Sequence, residues 1–388
     1  MSTIVLRRRP LQATKSAFVK MTAAFTDQRP RKSTVFEHLA GTKDSWHNKI
    51  KPDSSFDAEN DRYHLYIGLF CPFAHRVNIV RHLKGLQDTI PISVVKPYPK
   101  GDENGWPGWR FPKNDDEYPA ATTDRLFGSE YLHQVYFKAD PEYKGRYSVP
   151  ALWDTKNNTL VNNESSELVR NMNTAFNDFL VKNGKTREAA IDLYPESLRP
   201  QIDTICAWLQ EHLNTGVYKA GFATDQETYD KNVPPVFAAL NKIEKIVKKN
   251  GGPFALGSRL TEVDIRLYPT LIRFDTVYVQ HFKCNLGTIR ANYPVLHNYM
   301  KGLYFGSVDL VLEDGSKQKI TAFGPATVDF KHIKENYTKS HYDVNPKAIT
   351  PLGPWPHIEK GYVQDWSQLS PGSIDMPEVV ELEHHLPN

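Results

Sequence analysis

Cysteine is scarce in this chain of 388 residues: there are three, Cys71, Cys206 and Cys284, all far apart. An odd, sparse set is no disulfide framework, so a reducing intracellular setting is expected. No pair has the spacing of a zinc set or a dithiol centre. Any cysteine chemistry would therefore run through a single sulfur. Long apolar runs are missing too, and none approaches the roughly 18 residues of a membrane-spanning helix. Neither sign of charge dominates, since 48 basic and 45 acidic side chains give +3. So small an excess argues against nucleic acid as the main partner. Acids are absent before Asp27, whereas Arg7, Arg8, Arg9, Lys15 and Lys20 precede it. That make-up fits either a mitochondrial presequence or a basic tail, and the missing apolar h-region argues against secretion.

Apolar residues, at 40%, are ample for a core, and aromatics reach 12% with 19 Tyr and 7 Trp. Most such rings fill cores, but an excess of Tyr and Trp also suits a site for flat or amphipathic ligands. Residues 1–60 show no sustained period and read as an extension. Order is expected from Tyr63-His64-Leu65-Tyr66-Ile67-Gly68-Leu69-Phe70, a buried-strand pattern. Cys71-Pro72 then opens a helix with Val77, Val80 and Leu83 on one face, because Pro loses nothing in a first helical turn. A second strand at 91–95 completes a βαβ unit. Residues 96–145 break the pattern with six prolines and two tryptophans and read as an insertion. A hairpin follows, Tyr147–Asp154 and Thr159–Val161 around the turn Thr155–Asn158, and Asn163-Glu164-Ser165-Ser166 opens another helix.

The rest reads as helical. Ile202, Ile205, Cys206, Leu209 and Leu213 share one face, and Phe237, Leu240, Ile243 and Val247 share another. Gly251-Gly252 ends the second of these helices. Thr261-Glu262-Val263-Asp264 is a capping arrangement, and a further helix is expected over Leu296–Leu303. Residues 341–388 read as an extended tail.

Cys71 is the sharpest chemical feature. At a strand end just ahead of a helix, free N–H groups and the positive end of the dipole favour thiolate, so a lowered thiol pKa is expected. Position 74 is Ala, so a mixed disulfide on Cys71 would be resolved by an outside thiol. Cys206, on an apolar stripe, reads as structural. Val149-Pro150 can be cis and would then offer a backbone edge to a ligand, although an ordinary edge-strand proline is the commoner case. Glu164-Ser165 can hold the ammonium and carboxylate of a ligand, or simply cap the helix.

These features together resemble a glutathione transferase. The similarity is greater to the glutathionyl-hydroquinone reductases, or Xi-class enzymes. It is carried by Tyr63-His64-Leu65-Tyr66, Cys71-Pro72-Phe73-Ala74-His75-Arg76, Leu83-Lys84-Gly85-Leu86 and Asn162-Asn163-Glu164-Ser165. Asn214–Phe222, Asp264–Leu267, Arg273–Val279 and His281–Cys284 continue it in order across residues 60–355. The resemblance implies an α+β, thioredoxin-like N-terminal domain and an all-α C-terminal domain. It divides the chain into an extension at 1–60, a glutathione-binding domain at 61–180 with the insertion 96–145, a helical substrate domain at 190–340, and a tail at 341–388.

The same resemblance implies site roles. Cys71 is the nucleophile. Trp109, or Trp106 as its rival, stands beside glutathione, with Arg146, Tyr147, Ser148 and Val149 along the peptide. Glu164 and Ser165 hold the γ-glutamyl end. Tyr218 exchanges a proton with the quinol, and Tyr278 and Tyr337 help stabilise the thiolate. Glutathione is the co-substrate, without metal or nucleotide, and the partners are aromatic quinol conjugates and a second copy in a homodimer, not membrane or nucleic acid. A cytoplasmic address is expected, with mitochondria as the alternative. Two other readings remain: an omega-like thioltransferase or dehydroascorbate reductase using the same cysteine, and a non-catalytic glutathione-binding regulator. Ordinary omega enzymes are shorter, and the insertion and three tyrosines separate them from this pattern. Regulators commonly lose the active-site residue that Cys71 represents.

Overall fold

The computed structural model describes residues 46–100, 108–312 and 314–375. Trp106 and the basic N-terminal residues lie outside this set. A four-stranded sheet has the order β2-β1-β3-β4, with β1 at Tyr63–Ile67, β2 at Ile92–Val94, β3 at Ala151–Asp154 and β4 at Thr159–Asn162. β2 runs parallel to β1, while β3 is antiparallel to both β1 and β4. Every residue of β1 is buried, as expected of a strand covered on both faces. Its parallel pairing with β2 requires a crossover, supplied by α1 at Pro72–Leu83. α1 packs on α3 (Ser165–Thr174) and on α9 (Glu262–Arg273), a helix of the second half.

The stretch read as an irregular insertion contains a helix, α2 at Leu132–Ala139. Leu132, Val135 and Tyr136 form its buried face, a stripe too short to stand out beside so many prolines. The hairpin strand begins at Ala151 rather than Tyr147, after a cis Val149–Pro150 bond. Short helices α4 (Asn177–Lys182) and α5 (Thr186–Ala190) lead onward. α6 (Arg199–Leu209) passes into a π-helical turn at Gln210–Asn214, ahead of α7 (Gly216–Gly221). α8 runs from Gln226 to Asn250, capped by Asp225 and ended by Gly251 in the left-handed region, φ 75°. It starts well before the Phe237–Val247 stripe and carries Pro234 and Pro235 inside it.

α9 is buried along its whole length. Its capping box is complete: Thr261 N–H donates to Asp264 at 2.8 Å, and the second carboxylate oxygen accepts from Ala255 N–H at 2.8 Å and Tyr299 Oη at 3.0 Å. Burial nevertheless pushes Asp264 up to about 6. A second π-helical turn follows at Phe274–Tyr278. Then come α10 (Ile289–Asn292), α11 (Pro294–Tyr304) and α12 (Phe330–Ser340). The second half is not purely helical, since a small hairpin, β5 at Asp309–Val311 and β6 at Lys317–Lys319, precedes α12. The described part of the tail packs on the body: Glu244 accepts from Gly372 N–H, and Asn241 bonds both backbone groups of Ile374. No helix of the described residues is long and apolar enough to cross a membrane.

Candidate active site

Cys71 is the N-cap of α1, with Pro72 at the first helical position. Its Sγ accepts from Ala74 N–H at 3.5 Å and donates to the Val149 carbonyl at 3.4 Å. The crossover and the cis Val149–Pro150 corner of the sheet thus meet at one sulfur. Burial pushes this thiol up from its ordinary value, against the N–H groups of Ala74 and Phe73 and the positive charges of Arg273 and Arg76. That corrects the expected lowering. The helix end acts as expected, but desolvation outweighs it. Cysteine remains a strong nucleophile through its thiolate fraction even at an unshifted pKa.

The remaining first-half residues surround this point. Tyr136 Oη donates to the Ser148 carbonyl at 2.7 Å and accepts from Asn163 Nδ2 at 3.3 Å, tying the segment before Val149 to the start of α3. Glu164 is the N-cap of α3, where its Oε1 accepts from Ser166 N–H and Oγ at 3.1 Å. Ser165 is buried in the first turn. Glu164 therefore caps the helix. Trp109 packs on Phe70 with ring centres 4.4 Å apart, and Lys100 lies over its face. Tyr147 stands against Tyr136, Phe137 and Tyr143, and Arg146 offers its carbonyl to Tyr143 Oη.

The second half contributes three tyrosines from three elements. Tyr218 comes from α7, Tyr278 ends the π-helical turn after α9, and Tyr337 sits on α12. Tyr337 Oη lies 2.5 Å from Tyr218 Oη and 3.1 Å from Tyr278 Oη, so the hydroxyls form a chain. Burial pushes all three up, Tyr218 and Tyr337 well up, so each remains a proton donor at neutral pH. Tyr218 and Tyr278 also feel the charge of Cys71. Among the described residues, no hydroxyl of this chain is bonded directly to Sγ; the sulfur's partners are Val149 and Ala74. Phe73 extends the wall, 6.3 Å from the Tyr218 ring.

Glycine is required at Gly221, in the turn after Tyr218. A Cβ there would meet Phe282 at 2.0 Å, and Phe282 stacks on Tyr278 with planes 4° apart. The insertion has a mechanical part as well. Pro97 accepts from Asn336 Nδ2 and Ser340 Oγ, and the Pro119 carbonyl pairs with His332 Nε2. It therefore grips α12 on both sides of Tyr337. Sequence reasoning gave no role to Tyr136, His75 or Arg273. A guanidinium on an otherwise apolar helical face was the available signal for Arg273.

The family model described as glutathione S-transferase, N-terminal domain, matches residues 70–175, and that for the C-terminal domain matches 226–302. Glutathione S-transferase omega-like 2 of Schizosaccharomyces pombe is 49% identical over 81% of this chain and 93% of its own. Glutathionyl-hydroquinone reductase YqjG of Escherichia coli is 43% identical over 80% of this chain and 84% of its own. The glutathione-bound structure of YqjG superposes with a TM-score of 0.70 at 42% identity, covering 81% and 94% of the two chains. The glutathione transferase Xi of Phanerochaete chrysosporium gives a TM-score of 0.73 at 44% identity, over 82% of this chain and 99% of that one.

Proposed function

The chain belongs to the glutathione S-transferase family, in the Xi-class branch with the glutathionyl-hydroquinone reductases, and from that premise we propose that it removes glutathione from glutathionyl-hydroquinones through a mixed disulfide on Cys71. The observation that carries this reading is a helix-capping sulfur beside a chain of three protonated phenols. Glutathione lies along the first half, its cysteinyl backbone paired with Val149 and its γ-glutamyl end on Glu164 and Ser165. Trp109, Arg146, Tyr147 and Ser148 complete the peptide's surroundings. The quinol ring faces Tyr218.

The substrate is a thioether on an aromatic ring. The Cys71 thiolate attacks the glutathione sulfur, the S–S bond forms and the ring C–S bond breaks. The electron pair goes to the ring carbon, a poor leaving group unless it is protonated. Tyr218 supplies that proton through a keto tautomer of the ring, as a general acid. Hydroquinone leaves with Cys71 bound to glutathione in a disulfide. A second glutathione thiolate attacks the glutathione sulfur of that disulfide, releasing glutathione disulfide and regenerating the Cys71 thiolate. Overall, one glutathionyl-hydroquinone and one glutathione give hydroquinone and glutathione disulfide.

The substrate-facing division is read as 61–180 for glutathione and 190–340 for the quinol, and the assembly as a cytoplasmic homodimer. Mass spectrometry after incubation with glutathionyl-menadiol, without added glutathione, tests the reaction. Glutathione on Cys71 and free menadiol are expected, with both lost in Cys71→Ser. Undiminished menadiol release from Cys71→Ser refutes it.

A further inference from the structure

Arg273 ends α9 with its side chain fully buried. A buried guanidinium needs acceptors for a fork of five N–H groups. Its Nε donates to the Phe70 carbonyl at 3.0 Å, and one terminal nitrogen donates to the Leu69 carbonyl at 3.0 Å. The other terminal nitrogen donates to the Pro269 carbonyl at 2.9 Å and to His75 Nδ1 at 3.1 Å. Leu69 and Phe70 immediately precede Cys71, and His75 follows it by one helical turn. One cation from the helical half therefore grips both flanks of the segment that carries the sulfur.

The protons on His75 follow from its partners. Arg273 can only donate, so Nδ1 accepts. Nε2 then carries the hydrogen and donates to Thr327 Oγ1 at 3.0 Å, and Thr327 passes its own hydrogen to the Ala322 carbonyl at 2.6 Å. Burial, and the charge of Arg273 beside it, hold His75 far below the ordinary imidazole range, so the ring stays neutral. A neutral ring in one tautomer is a rigid stop for the guanidinium.

We propose that Arg273 is a positioning residue for Cys71: it fixes the backbone that aims the sulfur and keeps a positive charge beside it, with His75 and Thr327 locking the fork in place. The proposal rests on Cys71 being the nucleophile. Other groups act on the sulfur as well: Arg76 and the N–H groups of Ala74 and Phe73 from α1, Tyr218 from α7, and Tyr278 from the π-helical turn. Arg76 is held by Gln210 and lies over the Phe73 ring, so it does not replace a fork on Leu69 and Phe70.

The test uses the full chain with Arg273→Met, Arg273→Lys and Thr327→Val. Peptide-resolved iodoacetamide labelling of Cys71 is followed against pH, beside turnover of glutathionyl-menadiol and the KM for glutathione. Arg273→Met is expected to raise the labelling midpoint by about 1 unit. That is roughly a tenfold fall in thiolate at fixed pH, with a matching fall in kcat and little change in KM. Arg273→Lys keeps the charge and loses the fork, so the midpoint stays near wild type while kcat falls. Thr327→Val should shift both readouts in the direction of Arg273→Met by a smaller amount. A folded Arg273→Met with the wild-type labelling curve overturns the proposal. Should that variant not fold, wild-type kcat in both Arg273→Lys and Thr327→Val overturns it. Full turnover by Cys71→Ser would sink the nucleophile assignment instead, a result that no Arg273 variant can produce.

Discussion

Replacing Tyr218 with Phe separates the two halves of the proposed reaction. In the intact protein its hydroxyl lies 2.5 Å from that of Tyr337, and burial first, then the charges of Tyr278, Tyr337 and Cys71, push it well above the usual phenol range. The proton is thus present throughout the neutral range, and any loss of rate through its titration falls above pH 10. Losing a positioned general acid costs about 10²–10⁴-fold, or roughly 3–5 kcal/mol of barrier. The structural cost is smaller, since Tyr337 keeps its bond to Tyr278, and one lost buried hydrogen bond is worth about 1–3 kcal/mol. A ring carbon must be protonated to leave, whereas a thiol leaving from a disulfide departs as a stable thiolate. Tyr218→Phe should therefore slow menadiol release in rapid-quench single turnovers by at least about 100-fold. The same variant should reduce a glutathione mixed disulfide of 2-mercaptoethanol within about threefold of wild type, a barrier change below about 1 kcal/mol. Equal losses on the two substrates would remove the proton from Tyr218 and refute the reasoning.

Three further outcomes follow from single sites. Because the folded Cys71 thiol lies above its ordinary value, iodoacetamide labelling of the wild type should keep rising beyond pH 9; a plateau reached by pH 7 would show that the helix end outweighs burial. Gly221→Ala drives a methyl group into Phe282, so urea melts should show a loss of about 1–3 kcal/mol from overpacking, and an unchanged midpoint would contradict the contact. Arg62 and Asp154 form a buried pair through two hydrogen bonds, Nε to Oδ1 at 3.0 Å and Nη2 to Oδ2 at 2.7 Å. Burial works to raise Asp154, but Arg62 and the N–H groups of Lys156 and Asn157 hold it below the usual carboxylate range. The pair's stabilisation is thus present above the unfolded carboxyl pKa of about 4 and lost as pH falls below it. Asp154→Asn, which leaves Arg62 with Glu59 as its remaining carboxylate partner, should cost about 1–3 kcal/mol at pH 7 and flatten the acid limb of the stability curve. An acid limb identical to wild type would refute that assignment.

Local chemistry was legible in the chain and long-range packing was not. The strand, Cys71-Pro72 and the helix behind them announce themselves within the single stretch 63–83, and the Asn157-Asn158 hairpin turn and the Gly251 stop are just as local. The direction of the Cys71 shift differs from the expectation because the helix end is local, whereas the desolvation that outweighs it belongs to the packed fold. Arg273 and His75 are separated by 198 positions, and nothing near either one signals the other. The three tyrosines look like ordinary core aromatics one by one, and only the family pattern drew them together. α2 stayed hidden because its one buried stripe is shorter than the proline-rich stretch around it. α12 escaped because Phe330–Ser340 is mostly polar; its buried His332, Asn336 and Ser340 spend their hydrogen bonds on the insertion.

The arrangement of the hydroxyls makes a last demand on the mechanism. Tyr337 is bonded to both Tyr218 and Tyr278 and makes the short 2.5 Å contact with Tyr218, so it is the direct neighbour from which the chain can replace a proton lost from Tyr218 to the quinol. On that account Tyr337→Phe cuts the same path as Tyr218→Phe, and the double variant should be little slower than Tyr218→Phe alone. Two independent roles would multiply instead. Groups in one hydrogen-bond network couple by about 0.5–3 kcal/mol, large enough for a double-mutant cycle on the menadiol step to resolve. Multiplying losses would reduce Tyr337 to a buttress for the Tyr218 ring, and the proton would then have to reach Tyr218 from solvent. The disulfide substrate supplies the internal reference, because both single variants and the double variant should leave it nearly untouched. A cycle that is coupled on the quinol and flat on the disulfide is the signature of a proton path that serves carbon and not sulfur.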